Sequence, residues 1–237
     1  IQIILQLALA VVVLGLGYWV YTLISTPIKF ENEQKAREEK LARKSQEDAM
    51  TGLYNQAVVK ELANDRIQGN TSDGESYLII CDVDNFKSIN DEHGHMFGDA
   101  VLCFFAEELR RLFPEGLIGR IGGDEFMLLV ENHTREQMDD KLRELNSKLN
   151  SRYRDNAGRI QISSSIGVAA FDKEVKDYQI LFKWADYSLY RVKSMGKGNY
   201  YISRVYADSD FPDSSYLANK KDVDDRQRNT EPLVRNE

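Results

Sequence analysis

Apolar and polar positions along the chain fall into several distinct rhythms. Residues 3–24 are almost wholly apolar, and no charged residue stands before Lys29. Residues 30–50 invert the pattern, being rich in Glu, Lys, Arg, Ala and Gln without Gly or Pro, which is strong helix composition. The apolar stripe there is thin (Phe30, Ala36, Leu41, Ala42, Ala49), so this is a charged linker helix, solvated alone or a short coiled connector in a dimer. Thr51-Gly52-Leu53-Tyr54-Asn55 breaks it, and Asn55 is placed to cap a helix with Val58, Val59, Leu62 and Ala63 on its apolar face.

Beyond a polar loop at 68–76, residues 77–83 read as a buried strand. A helix opens near Gly98-Asp99 with Val101, Leu102, Phe105, Leu109 and Leu112 on one face, and Pro114-Glu115-Gly116 ends it. Residues 117–121 and 126–130 form a hairpin. The next helix carries Met138, Leu142, Leu145 and Leu149. Alternation of Ile160, Ile162, Ser164, Ile166 and Val168 predicts a strand over 159–171 with one covered face. Residues 178–193 predict a helix with Leu181, Phe182, Ala185, Leu189 and Val192 inward, and 200–202 a short last strand. The order suits an α+β fold, a mainly antiparallel central sheet flanked by helices, over 51–205. Residues 206–237 are polar and aperiodic, and read as a disordered tail.

About 20 apolar residues at roughly 1.5 Å each cross the roughly 30 Å core of a bilayer, so residues 1–28 predict a single transmembrane helix. Tyr18, Trp19 and Tyr21 suit an interfacial belt, and Lys29, Lys35, Arg37, Lys40, Arg43 and Lys44 put the following side in the cytoplasm. The expectation is therefore an inner or plasma membrane protein with its folded domain cytoplasmic. Nothing charged precedes the span, which suggests that an N-terminal sensor region is absent from this chain. The formal net charge of −7 argues against a nucleic-acid partner but not against a nucleotide. Cys81 and Cys103 show no pairing or metal-like spacing, and read as core residues in a reducing compartment.

The candidate chemistry lies at the hairpin tip, Arg120-Ile121-Gly122-Gly123-Asp124-Glu125-Phe126. Gly122 and Gly123 read as a tight turn, since Gly takes φ > 0 without steric cost. Asp124 and Glu125 sit at the mouth of a buried strand, where a bare carboxylate is expensive. A second acidic strand end, Asp82-Val83-Asp84, lies upstream. Asp84 is positioned to cap the short helix begun by Asn85-Phe86-Lys87, leaving Asp82 outward. If the strand pairs with the hairpin, Asp82 and Asp124 reach one sheet edge, where two carboxylates repel unless protonated or bridged by a cation. A hard ion such as Mg²⁺, held by one or two carboxylates plus phosphate oxygens, fits.

Gly122-Gly123-Asp124-Glu125-Phe126 resembles the signature of the GGDEF-domain diguanylate cyclases. Thr51-Gly52-Leu53-Tyr54-Asn55 resembles the family's opening motif. Asp82 to Asp91 with Gly94-His95 and Gly98-Asp99 resembles its central block, and Ala185 to Lys193 its last helix. The resemblance implies a palm-like (ferredoxin-like) domain that condenses two GTP into cyclic di-GMP with Mg²⁺ or Mn²⁺. Asp82, Asp124 and the Val83 carbonyl would hold the metal ions, and Asp124, supported by Glu125, would be the general base. Asn90 and Asp99 would read guanine with His95 nearby. Main-chain groups around Asn85, Phe86 and Lys87 and the turn at Gly122 and Gly123 would meet substrate, with Lys193 and Lys197 neutralising phosphate. The family usually has Arg at the latter position, and Gly198 also departs from its pattern.

The mechanism implied is two-metal phosphoryl transfer, one ion lowering the pKa of a ribose 3′-OH and the other stabilising the leaving pyrophosphate. One domain carries one GTP, so the reaction implies a homodimer. Many relatives carry an Arg-x-x-Asp product-inhibition site before the signature; Leu112-Phe113-Pro114-Glu115-Gly116 lacks it, and no high-affinity inhibition is expected there. The alternatives are an inactive domain that serves as a GTP or nucleotide receptor, a dimerisation relay, or another nucleotide cyclase, the last disfavoured by Asp99.

Overall fold

The computed structural model describes residues 46–152 and 162–207, with residues 2, 14–16, 18, 19 and 21 before them. The chain divides into two compact units, Ile1–Gln46 and Glu47–Glu237. In the first, Leu14, Leu16, Tyr18, Trp19 and Tyr21 are helical and exposed. The predicted linker helix lies largely outside the described residues, as does nearly all of the predicted C-terminal tail. Most of residues 1–28 also lie outside them. A crossing needs about 20 consecutive apolar helical residues, and no helix among the described residues is long and apolar enough to cross a membrane. The expected membrane location is corrected accordingly.

The second unit is built on β1 (Ser76–Val83), whose run of apolar side chains is buried on both faces. It pairs antiparallel with β3 (Glu125–Val130) on one side and β4 (Ser164–Phe171) on the other. β2 (Leu117–Arg120) extends the sheet antiparallel to β3, and β5 (Tyr200–Arg204) lies parallel to β4. The order is β2-β3-β1-β4-β5. The single parallel pair follows from a helical crossover between β4 and β5, since two parallel strands cannot be joined by a tight turn.

Helices cover both faces. On one side α3 (His95–Leu112) and α4 (Arg135–Arg152) bury Phe105, Leu109, Leu142 and Leu145 against Ile79, Cys81, Leu128 and Val168. On the other, α1 (Gln56–Gly69) and α5 (Tyr178–Ser194) bury Val59, Ala63, Leu181 and Leu189 against Leu78, Ile80, Met127 and Ala169. The short α2 (Phe86–His93) follows β1 directly. Asn55 caps α1 as expected, accepting from the Val58 N–H at 3.1 Å.

The two-sided cover explains why β4 departs from its expected pattern. Ser164 to Phe171 are all buried, because a strand between two helical layers has no solvent face. At Gly167 a Cβ would lie 2.1 Å from the Ala185 carbonyl oxygen and 2.2 Å from the Leu189 nitrogen. The missing side chain lets α5 rest on β4, which brings the end of α5 over the end of β1. α3 starts at His95, so Gly98 and Asp99 sit within its first turns rather than before it. Cys81 is a core residue, whereas Cys103 is half-buried.

Candidate active site

Side chains alternate along β1, and Leu78 and Ile80 belong to the face covered by α1 and α5. Asp82 continues that alternation and meets Lys193 on α5, whose Nζ donates to Asp82 Oδ2 at 2.8 Å. It is therefore buried and paired, not turned outward as expected. In the sheet register Asp82 lies opposite Glu125. The Val83 N–H donates to the Asp124 carbonyl at 3.2 Å, which fastens the hairpin tip to the end of β1.

The electrostatics of this corner are unbalanced. Burial pushes the Asp82 carboxyl up to about 7; Lys193 opposes this, and the Asp124 and Glu125 charges add to it. Burial also raises Asp124, against the pull of its own N–H, Lys193 and Arg120. Burial works against the Lys193 ammonium, yet Asp82, Glu125 and Asp124 more than offset it and hold its pKa above the ordinary lysine value. Lys193 thus serves three acids, with Arg120 adding to the pull on Asp124, and burial still raises the Asp82 and Asp124 carboxyls, a setting that a hard cation suits. Among the described residues no three His, Cys, Asp or Glu side chains form a metal cage. A cation here would take further oxygens from the Val83 carbonyl, phosphate or water, as Mg²⁺ commonly does.

Arg120 holds the signature turn from behind. Its Nη2 and Nε donate to the Gly123 carbonyl at 2.6 and 3.1 Å, and its Nη1 lies 3.2 Å from Asp48 Oδ1. Asp48 in turn accepts from the Thr51 N–H and hydroxyl at 2.9 and 2.6 Å. Burial opposes the Asp48 carboxylate, but Thr51 and Arg120 outweigh it and hold its pKa below the ordinary range. Neither Arg120 nor Asp48 was expected at the site; an arginine two residues before the double glycine was the available signal. The turn does not use positive φ at Gly122 or Gly123. A Cβ at Gly122 would stand 2.7 Å from Glu125 Oε2, a contact that the glutamate side chain can relieve by turning aside.

Asp84 does not cap α2. Asn85, with φ of 55°, precedes the helix and makes no side-chain cap, so the first-turn N–H groups lack that partner. The Asp84 carboxylate accepts instead from the Ser163 and Ser165 hydroxyls, each at 2.6 Å, and from the Gly198 N–H at 2.9 Å. The Lys197 Nζ donates to Asn85 Oδ1 at 2.8 Å, which puts that lysine beside the start of α2. Lys87 is exposed on the first turn.

The expected base-reading residues gather where α2 meets α3. Asn90 Oδ1 is buried without a hydrogen-bond partner. It packs on Gly98, where a Cβ would stand 1.9 Å from it and 3.1 Å from Phe86 Cζ. Phe86 also packs on the core. Asp99 follows Gly98, and His95 lies one turn earlier; both are exposed.

This arrangement belongs with a sequence match over most of the second unit. The profile described as "Diguanylate cyclase, GGDEF domain" matches residues 45–199. The chain belongs to the GGDEF domain family. Among relatives of this GGDEF domain, the probable diguanylate cyclase DgcC of Escherichia coli is 29% identical over 182 residues, covering 75% of this chain and 49% of that protein. Diguanylate cyclase DgcM of Escherichia coli is 35% identical over 173 residues, covering 70% and 40%. The chain thus spans about half or less of the length of these relatives. The coiled coil and GGDEF domain of DgcB from Caulobacter crescentus, in complex with c-di-GMP, superposes with a TM-score of 0.68 at 21% identity, covering 78% of this chain and 99% of that one. At that identity the likeness is one of fold.

Proposed function

We propose that this GGDEF domain is a diguanylate cyclase, which joins two GTP into cyclic di-GMP and releases two pyrophosphates as a homodimer. The observation that supports it most is the corner where Asp82 faces the acidic hairpin end with Lys193 as its cation. Asp82, Asp124 and the Val83 carbonyl would hold Mg²⁺ or Mn²⁺. Such an ion, when bound, screens phosphate charge and makes a ribose 3′-OH more acidic.

The remaining work falls to the chain's own residues. Asn90 and Asp99 bind guanine, whose N–H donors suit the orphaned Asn90 oxygen and an exposed carboxylate. The turn at Gly122 and Gly123 leaves room for substrate, and Arg120 holds the Gly123 carbonyl. The first-turn N–H groups of α2, with Lys197, bind phosphate. Lys193 shares its charge between Asp82 and the incoming phosphates. Asp124, its basicity raised by burial, accepts the 3′-OH proton with Glu125 beside it. The 3′-oxygen forms a bond to the partner's α-phosphorus as the bond to pyrophosphate breaks. Each domain holds one nucleotide, so both attacks need two domains face to face.

The test is incubation of the chain with GTP and Mg²⁺, with cyclic di-GMP and pyrophosphate measured. The expected outcome is two pyrophosphates for each cyclic di-GMP, with Asp124→Ala reducing both at least about 10³-fold. No product from the wild type, or equal product from the variant, overturns the reading.

A further inference from the structure

The proposed reaction leaves one buried acid without a role. Asp84 is 3% exposed, and both of its carboxylate oxygens are engaged by neutral donors. Ser163 immediately precedes β4, Ser165 lies at its start, and Gly198 lies in the loop after α5. The Asp84 N–H also donates to the Ser163 carbonyl at 2.9 Å, and the Ile166 N–H to the Asn199 carbonyl at 2.9 Å. Two segments about 80 and 114 residues away are thereby bound to the end of β1.

The backbone of this clasp is unusual. Gly196, Lys197 and Gly198 have φ of 113°, 64° and 65°, and Asn85 has 55°. Lys197 and Asn85 are two of only three non-glycine residues with positive φ among the described residues. A side chain such as that of Lys197 is disfavoured there and persists only where its surroundings hold it. Asp84 supplies that hold next to Lys197, through the Gly198 N–H. Lys197 then reaches Asn85 Oδ1, at the uncapped start of α2. The Gly198 departure from the family pattern also finds its reason, since glycine takes this conformation without steric cost.

We infer that Asp84 is a positioning residue, holding loop 196–199 against the end of β1 so that the Lys197 ammonium and the first-turn N–H groups of α2 face one phosphate. This rests on the reading of the site as one for GTP. A brace that served stability alone would affect folding without distinguishing phosphate from base. Positioning distinguishes them, because the guanine-reading residues stand apart, where α2 meets α3.

The experiment measures calorimetric binding of 3′-deoxy-GTP, which lacks the attacking hydroxyl, and of guanosine, to the whole chain with Mg²⁺. Asp84→Ala is expected to weaken 3′-deoxy-GTP about tenfold and guanosine by less than about twofold, and Asp84→Asn to fall between wild type and Asp84→Ala. Lys197→Ala weakens 3′-deoxy-GTP in the wild type but adds little in Asp84→Ala, a non-additivity expected of residues acting through one another. If Asp84→Ala fails to fold, Ser163→Ala removes a single donor and should show the same ligand split more weakly. Equal loss for both ligands, or additive effects of the two alanine variants, overturns the inference. A wild type that binds 3′-deoxy-GTP but makes no cyclic di-GMP sinks the cyclase reading and leaves this one standing. One that binds no 3′-deoxy-GTP sinks both.

Discussion

At the end of the sheet where β1 begins, Glu75 and Asp172 both meet the Arg204 guanidinium, and Asp73 meets Lys173 at 2.6 Å. At the end where β1 stops, Asp82, Asp124 and Glu125 crowd around Lys193. The residue types are the same, and the surroundings are opposite. The Asp73 side chain is 90% exposed and that of Asp82 is 10% exposed. The hydrogen bond and charge of Lys173 hold the Asp73 carboxyl below its ordinary pKa, whereas burial lifts Asp82 to about 7 despite its own lysine. An ion pair in water is a modest surface feature. Acids whose pKa burial raises despite Lys193 and Arg120 leave a demand for positive charge, and that demand distinguishes the candidate site from ordinary surface.

The comparison breaks most sharply on turnover. Asp124→Asn should lower cyclic di-GMP formation by about 10³-fold, while Asp172→Asn at the far end changes it by less than about twofold; comparable losses would mean that the two ends do not differ in function. A second probe is Arg120→Ala, which removes the hold on Gly123 and leaves Asp48 without its guanidinium. Loss of one partner from a largely buried pair predicts destabilisation by about 2–3 kcal/mol in urea unfolding. A change below about 0.5 kcal/mol would show that Arg120 does not brace the turn.

The pH dependence sharpens the contrast further. Asp82 has a folded pKa of about 7, above its unperturbed 3.8. Between those values the folded chain holds a proton that the unfolded chain has lost. Stability from this group is therefore complete below about 4 and is lost as pH rises toward 7 and through it. Metal-free wild type should lose about 2–3 kcal/mol between about pH 5 and pH 8, and Asp82→Asn should flatten that slope. A slope unchanged in the variant would assign the titration elsewhere. The smallest effect is expected from Arg204→Ala, whose half-buried pairs at the sheet end contribute about 1 kcal/mol or less, in a salt-dependent manner.

Much of the fold is legible from periodicity. Helical spacing marks α1, α3, α4 and α5, and the alternating or continuous apolar runs mark the strands, because burial of one face or two leaves a period in the chain. Boundaries shift where a local cue is ambiguous: Gly98-Asp99 resembles a helix start but lies inside α3, since Asn90 needs the space that Gly98 leaves. The acids of the candidate site are legible too, as carboxylates at the mouths of apolar strands. The partners of those acids are not. Asp84 looks like a helix cap from its neighbours alone, yet its donors come from Ser163, Ser165 and Gly198.

By itself the sequence determined which segments become helix or strand, where acid meets apolar strand, and which family the motifs resemble, because each of these depends on residues close together in the chain. Tertiary structure alone decided the strand order, the parallel seat of β5, the grip of Arg120 on Asp48 and Gly123, and the meeting of Lys193 with Asp82 across 111 residues. Those contacts depend on how two helical layers close over one sheet, and on how much water and charge remain in the corner they enclose. No local pattern of residues carries that information.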